Sequence, residues 1–85
     1  MKTRDKILEM FPEEEFLFAD DFDGAIVGVE YGSMRVVYSI ERCITILQEE
    51  GLDEEDAMEH FYYNVAGSYV GEKTPIFIHE DKFMS

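Results

Sequence analysis

The spacing of apolar positions changes several times along the chain, and each change marks an element. Ile7, Leu8 and Phe11 share one helical face behind Thr3, a candidate cap. Pro12 biases Phe11 toward extended backbone, so this first helix is expected to stop there. Phe16-Leu17-Phe18 reads as a short strand. Asp20 to Gly24 reads as a turn, because short polar side chains bond their own backbone and Gly24 tolerates positive φ. Ala25–Tyr31 and Met34–Ser39 then alternate with period two. Gly32-Ser33 between them suits a two-residue type II′ turn. That turn sets Tyr31 opposite Met34, Val29 opposite Val36 and Val27 opposite Tyr38 on one face, with Glu30 opposite Arg35 on the other.

Helical spacing returns after Ser39, a favourable N-cap. Ile40, Cys43, Ile44 and Leu47 form one stripe, and Gly51 offers a left-handed stop. Asp53 caps a third helix, with Leu52 and Ala57 placed for a hydrophobic staple. Ala57, Phe61 and Val65 form its buried stripe, with Met58, Tyr62 and Tyr69 beside it, and it is expected to end near Gly67 or Gly71. Pro75 leads into a last strand, Ile76-Phe77-Ile78, and positions 80–85 are expected to form a loose tail. The order α-β-β-β-α-α-β predicts an α+β fold. Its small, mainly antiparallel sheet is a central hairpin plus edge strands, with helices packed on one face. The 85 residues suit a single domain over 1–85, with Val29, Val36, Ile44, Leu47, Phe61 and Val65 meeting in one core.

Composition excludes a disordered acidic tail, because 46% of the residues are hydrophobic despite a net charge of -13. No apolar run approaches the roughly 20 residues of a bilayer-crossing helix, and no leader-like stretch follows the basic N-terminus. The single cysteine, Cys43, allows no internal disulfide and suits a reducing cytoplasm.

Charge distribution carries more than the total. There is no Lys or Arg from Ile7 to Met34 or from Cys43 to Glu72, yet sixteen of the twenty acids lie in those two stretches. Such a field repels phosphate backbones and favours basic partners, so direct nucleic-acid binding is not expected. The densest cluster is Glu49, Glu50, Asp53, Glu54, Glu55, Asp56 and Glu59. Glu54, Glu55 and Asp56 suit a helix N-terminus, whereas Glu49 and Glu50 stand near a helix C-terminus, where the dipole disfavours them. Tyr62 and Tyr63 follow on the same helix as candidate interface anchors. This set is the leading candidate for partner binding.

Three segments carry a resemblance: Phe11-Pro12-Glu13-Glu14-Glu15-Phe16-Leu17-Phe18-Ala19-Asp20, Met34-Arg35-Val36-Val37-Tyr38-Ser39, and Asn64-Val65-Ala66-Gly67-Ser68-Tyr69-Val70-Gly71-Glu72-Lys73-Thr74-Pro75. The chain resembles a family of small acidic proteins encoded by bacteriophages and related mobile elements. The resemblance covers nearly the whole chain and brings no catalytic motif. It implies a phage-type accessory protein in a bacterial cytoplasm. By analogy with that class, such a protein binds and blocks a host protein, including defence nucleases.

Candidate chemistry adds little to this. Ala19 to Glu30 approaches a calcium loop, with Asp21, Asp23, Gly24 and Glu30 in place, but Ala19 stands where the first ligand belongs and a strand follows where a helix should. His60 and His79 form no ligand pair readable from spacing, and Asp56 with His60 is an ordinary i,i+4 pair. Cys43 lies on an apolar stripe, as a core residue does. Gly67 to Thr74 lacks the Gly-Lys step of a phosphate-binding loop. No metal, cofactor or catalytic residue is assigned, and the expected class is non-enzymatic. Two alternatives stay open. One is a small-ligand binder, for example of a signalling nucleotide, using the scarce bases Arg35 and Lys73 with Thr74. The other is a structural or assembly component of a phage particle.

Overall fold

Ser39 closes a strand and opens a helix, and the architecture turns on that junction. A computed structural model describes residues 3–67 and 71–81. Helix α1 spans Thr3–Met10, and strands β1 (Ile26–Glu30) and β2 (Arg35–Ser39) follow. Then come helices α2 (Ile40–Glu49) and α3 (Glu54–His60), and strand β3 (Ile76–Ile78). The fold is α+β, with three helices and a three-stranded sheet in the order β1-β2-β3. The expectations for Tyr69 and for positions 82–85 lie outside the described residues.

The sheet is mixed rather than mainly antiparallel. β1 and β2 pair antiparallel, but β3 pairs parallel to β2, with Val37 facing Ile76, Tyr38 facing Phe77 and Ser39 facing Ile78. A parallel pair cannot be joined by a tight turn, and α2 and α3 provide the crossover.

The hairpin register holds at Glu30–Arg35 and Val29–Val36. It breaks at a bulge between Ile26 and Gly28, so Tyr38 faces Ile26 instead of Val27. The extra residue restarts the alternation: Ile26 is buried and Val27 is 37% exposed. The turn is longer than expected. Four residues, Tyr31 to Met34, separate the strands, and Met34 donates its N–H to the Glu30 carbonyl at 2.8 Å with φ +53°. Tyr31, expected on the core face, is 94% exposed at its tip. The Glu30 carboxylate drives this. It accepts from the N–H groups of Gly32 and Ser33 at 2.7 Å and from Ser33 Oγ at 2.6 Å.

No strand forms at Phe16–Phe18. The alternation there is genuine, since Phe16 and Phe18 are half-buried and Leu17 faces out. It marks which side meets the core and does not provide a ladder partner. The next N–H, of Ala19, donates to Tyr38 Oη at 2.7 Å. Tyr38→Phe is therefore expected to cost about 1 kcal/mol, the net worth of one hydrogen bond, measured by urea denaturation. In the following turn the positive φ falls on Asp21, at 72°, and not on Gly24.

Both later caps form as expected. Ser39 Oγ accepts from Arg42 N at 3.2 Å, and Asp53 Oδ1 accepts from Asp56 N at 2.8 Å. Beyond α3 the backbone widens into a π-helical turn over Phe61–Val65, with Ala66 N bonded to Phe61 O at 2.9 Å. The Ala57–Phe61–Val65 stripe survives, with the first two fully buried and Val65 at the core's edge.

Val36, Tyr38, Cys43, Ala57 and Phe61 are fully buried, and Leu47 nearly so. Val29 and Ile44 pack against them while partly exposed. Tyr38 stacks on Phe77 at 5.5 Å, and Phe61 meets Phe77 edge-on at 5.3 Å, so the parallel strand enters the core through one ring. Burial pushes the Cys43 thiol up to about 12, which removes it as a nucleophile near neutral pH. Glu80, expected to open a loose tail, is held in place. Arg42 holds that carboxylate at 2.6 and 3.2 Å, because the parallel register carries the chain past Ile78 to the first turn of α2.

Candidate protein-docking site

The acidic cluster straddles the turn between α2 and α3, and the sequence builds that turn tightly. Gly51 takes φ +114°, Gly51 N bonds Gln48 O at 3.0 Å, and Leu52 N bonds Leu47 O at 3.3 Å. This double closure is a Schellman ending. Asp53 then caps α3 two residues later. The end of one helix and the start of the next are thus held side by side. Glu49, Glu50, Asp53, Glu54, Glu55, Asp56 and Glu59 are all exposed, on the side turned away from Leu47 and Ala57.

Arg4, Arg42 and Lys73 are occupied elsewhere. Arg4 lies 3.6 Å from Asp23 and 4.4 Å above the Phe18 ring. Arg42 pairs with Glu80, and Lys73 with Glu14 at 3.3 Å. Among the described residues no Lys or Arg pairs with any member of the cluster. Apart from the Asp53 cap, its carboxylates are exposed, with no neutralising Lys or Arg among the described residues.

The structure separates the two tyrosines. Tyr63 is 78% exposed and joins Leu52, Asp56, Glu59, His60 and Asn64 around a shallow hollow on this face. Tyr62 does not line it, and its ring leans edge-on against Phe61 at 5.1 Å. His60 Nδ1 sits 3.4 Å from Asn64 Nδ2. Leu52, His60 and Asn64 were missed as members of the site. Helical spacing from Asp56 at three, four, seven and eight positions contains that signal for Glu59, His60, Tyr63 and Asn64.

The alternative set, Arg35, Lys73 and Thr74, does come together. Lys73 Nζ reaches the carbonyls of Ser33 and Met34 at 3.3 Å each as well as Glu14 Oε2, and lies 5.9 Å over the Phe16 ring. Arg35 Nε donates to Thr74 O at 2.6 Å, and Thr74 Oγ1 donates to Gly71 O at 2.6 Å. Lys73 and Thr74 thus work as a clasp between the hairpin tip and the turn before β3. Glu14, its acidic member, was invisible from sequence because it lies 59 positions from Lys73.

The carboxylate whose pKa the structure clearly moves at the hairpin lies outside the cluster. Hydrogen bonds from the Ser33 hydroxyl and from the Gly32 and Ser33 N–H groups hold Glu30 below the usual carboxylate value. Its oxygens are occupied at the hairpin tip, which removes it from the would-be calcium loop. Among the described residues no group of three or more His, Cys, Asp or Glu side chains could hold a metal ion. Nor is any described helix long and apolar enough to cross a membrane. No family model, curated protein or solved structure matches the chain.

Proposed function

We propose that the chain is a non-enzymatic binding protein whose acidic face docks on a basic groove of a nucleic-acid-binding host protein and blocks it. The carboxylates stand in for phosphates, and Tyr63 anchors the contact beside them. The resemblance noted in the sequence adds the setting: a phage-type accessory protein in a bacterial cytoplasm, with a defence factor as a fitting target.

One observation carries this reading. Seven exposed carboxylates crowd a single helix–turn–helix corner with no described Lys or Arg to neutralise them. Folding accounts for Asp53, Glu54, Glu55 and Asp56, which cap and complement α3. It does not account for Glu49 and Glu50. They close α2, whose last turn contains no basic residue, and each costs a few tenths of a kcal/mol there. A binding role explains why that cost is tolerated.

The test is affinity capture from bacterial lysate, eluted with duplex DNA at constant salt. Mimicry predicts that duplex DNA displaces the captured protein and that the bait bearing Gln at positions 49, 50, 54 and 55 captures far less of it. Capture that DNA leaves intact, or that the Gln variant matches, contradicts the proposal.

A further inference from the structure

Arg35 differs from the other placed arginines of this acidic chain. Arg4 and Arg42 each reach a carboxylate, but Arg35 makes its hydrogen bond to a backbone carbonyl, that of Thr74. Its ladder partner is Glu30, directly opposite, yet the Glu30 carboxylate is turned into the hairpin tip by Gly32 and Ser33. Among the described residues the two Nη amino groups of Arg35 hydrogen-bond nothing. The Nε bond fixes the plane of the guanidinium and leaves its outer fork open.

That half-buried arginine borders a shallow, open hollow of about 610 Å3 beside β3, lined also by Ile40, Ala66, Gly67, Thr74 and the 75–77 segment. Among the described residues the lining is mainly apolar by residue type, with Arg35 and Thr74 as its polar members. An apolar surface beside one cationic group suits a small organic molecule with one polar handle. The geometry points to Arg35 as the anchor of a binding site for a small organic monocarboxylate with an apolar or aromatic body. Two Nη–H donors match the two oxygens of a carboxylate in the parallel, charge-assisted arrangement that only Arg provides. A phosphate dianion fits less well. The chain's net charge of -13 repels a dianion twice as strongly as a monoanion, and the apolar walls give phosphate nothing to bury. This site is separate from the acidic face and stands or falls independently of it.

The test uses the whole chain, 15N-labelled, titrated with benzoate and separately with inorganic phosphate at fixed ionic strength. Benzoate is expected to produce saturable shifts at the Arg35 Nε–H and at the Gly67 and Ile76 amides, with phosphate much weaker. Arg35→Lys keeps the charge, loses the fork, and should weaken benzoate binding about tenfold or more. Shifts in the wild type that stay linear or gather on α3 overturn the proposal. So does phosphate binding as tightly as benzoate, or an Arg35→Lys variant that binds benzoate with wild-type affinity. The two wild-type titrations decide the matter even where the variant folds poorly.

Discussion

Phe61→Ala is expected to destabilise the protein by about 3–5 kcal/mol, most of the margin of so small a domain. The ring is fully buried and meets Tyr62 at 5.1 Å and Phe77 at 5.3 Å, while Phe77 stacks in turn on Tyr38. Removing it opens a cavity where α3, β2 and β3 converge. Repacking is hindered because Tyr38 is held by its bond to Ala19 and Phe77 by the parallel ladder. Urea denaturation at constant m-value checks the figure. A midpoint close to wild type would mean that α3 is rotated and that another side chain fills the centre. Phe61→Leu, which keeps much of the volume, should lose less than half as much.

Local chemistry was legible wherever one residue acts on its own neighbours. Ser39 and Asp53 read as caps, Gly51 as a left-handed stop and Pro75 as the approach to a strand, and each is found so. The Glu30–Arg35 register was also legible, because polarity and charge agreed across the hairpin. What failed depends on partners distant in sequence or on competing bonds. The Phe16–Phe18 alternation could not reveal that Ala19 finds a tyrosine hydroxyl and no strand. Consecutive Ile26 and Val27 offered two phases for one buried face, and the bulge chose between them. Glu30 looked like an ion-pair partner, yet three nearer donors at the turn claim it. Parallel pairing of β3 has no signature in a three-residue apolar run. The acidic face was legible as a cluster. The lack of neutralising partners among the described residues, and the placement of Tyr63 rather than Tyr62 at the hollow, emerge only in the folded chain.

The second large effect concerns that face. Replacing Glu49, Glu50, Glu54 and Glu55 together by Gln should leave stability within about 1 kcal/mol of wild type. Two of the changes relieve an unfavourable helix C-terminus, and the other two remove favourable charges from a helix N-terminus, by similar small amounts. The proposed docking predicts that association with a DNA-displaceable partner nonetheless slows by roughly 10–100-fold at low ionic strength, because steering by a concentrated charge patch acts on the encounter rate. Tyr63→Ala should act differently, speeding dissociation while leaving the association rate nearly unchanged, as expected for an anchor.

The most direct measurement is the association rate of that partner against ionic strength, for the wild type and for the fourfold Gln variant. The wild-type rate should fall steeply as salt screens the carboxylates over the roughly 10 Å Debye length at 0.1 M. The variant should start lower and fall much more gently, and the two curves should converge at high salt. Equal rates with equal salt slopes would show that Glu49, Glu50, Glu54 and Glu55 take no part in the encounter, and would contradict docking through this face.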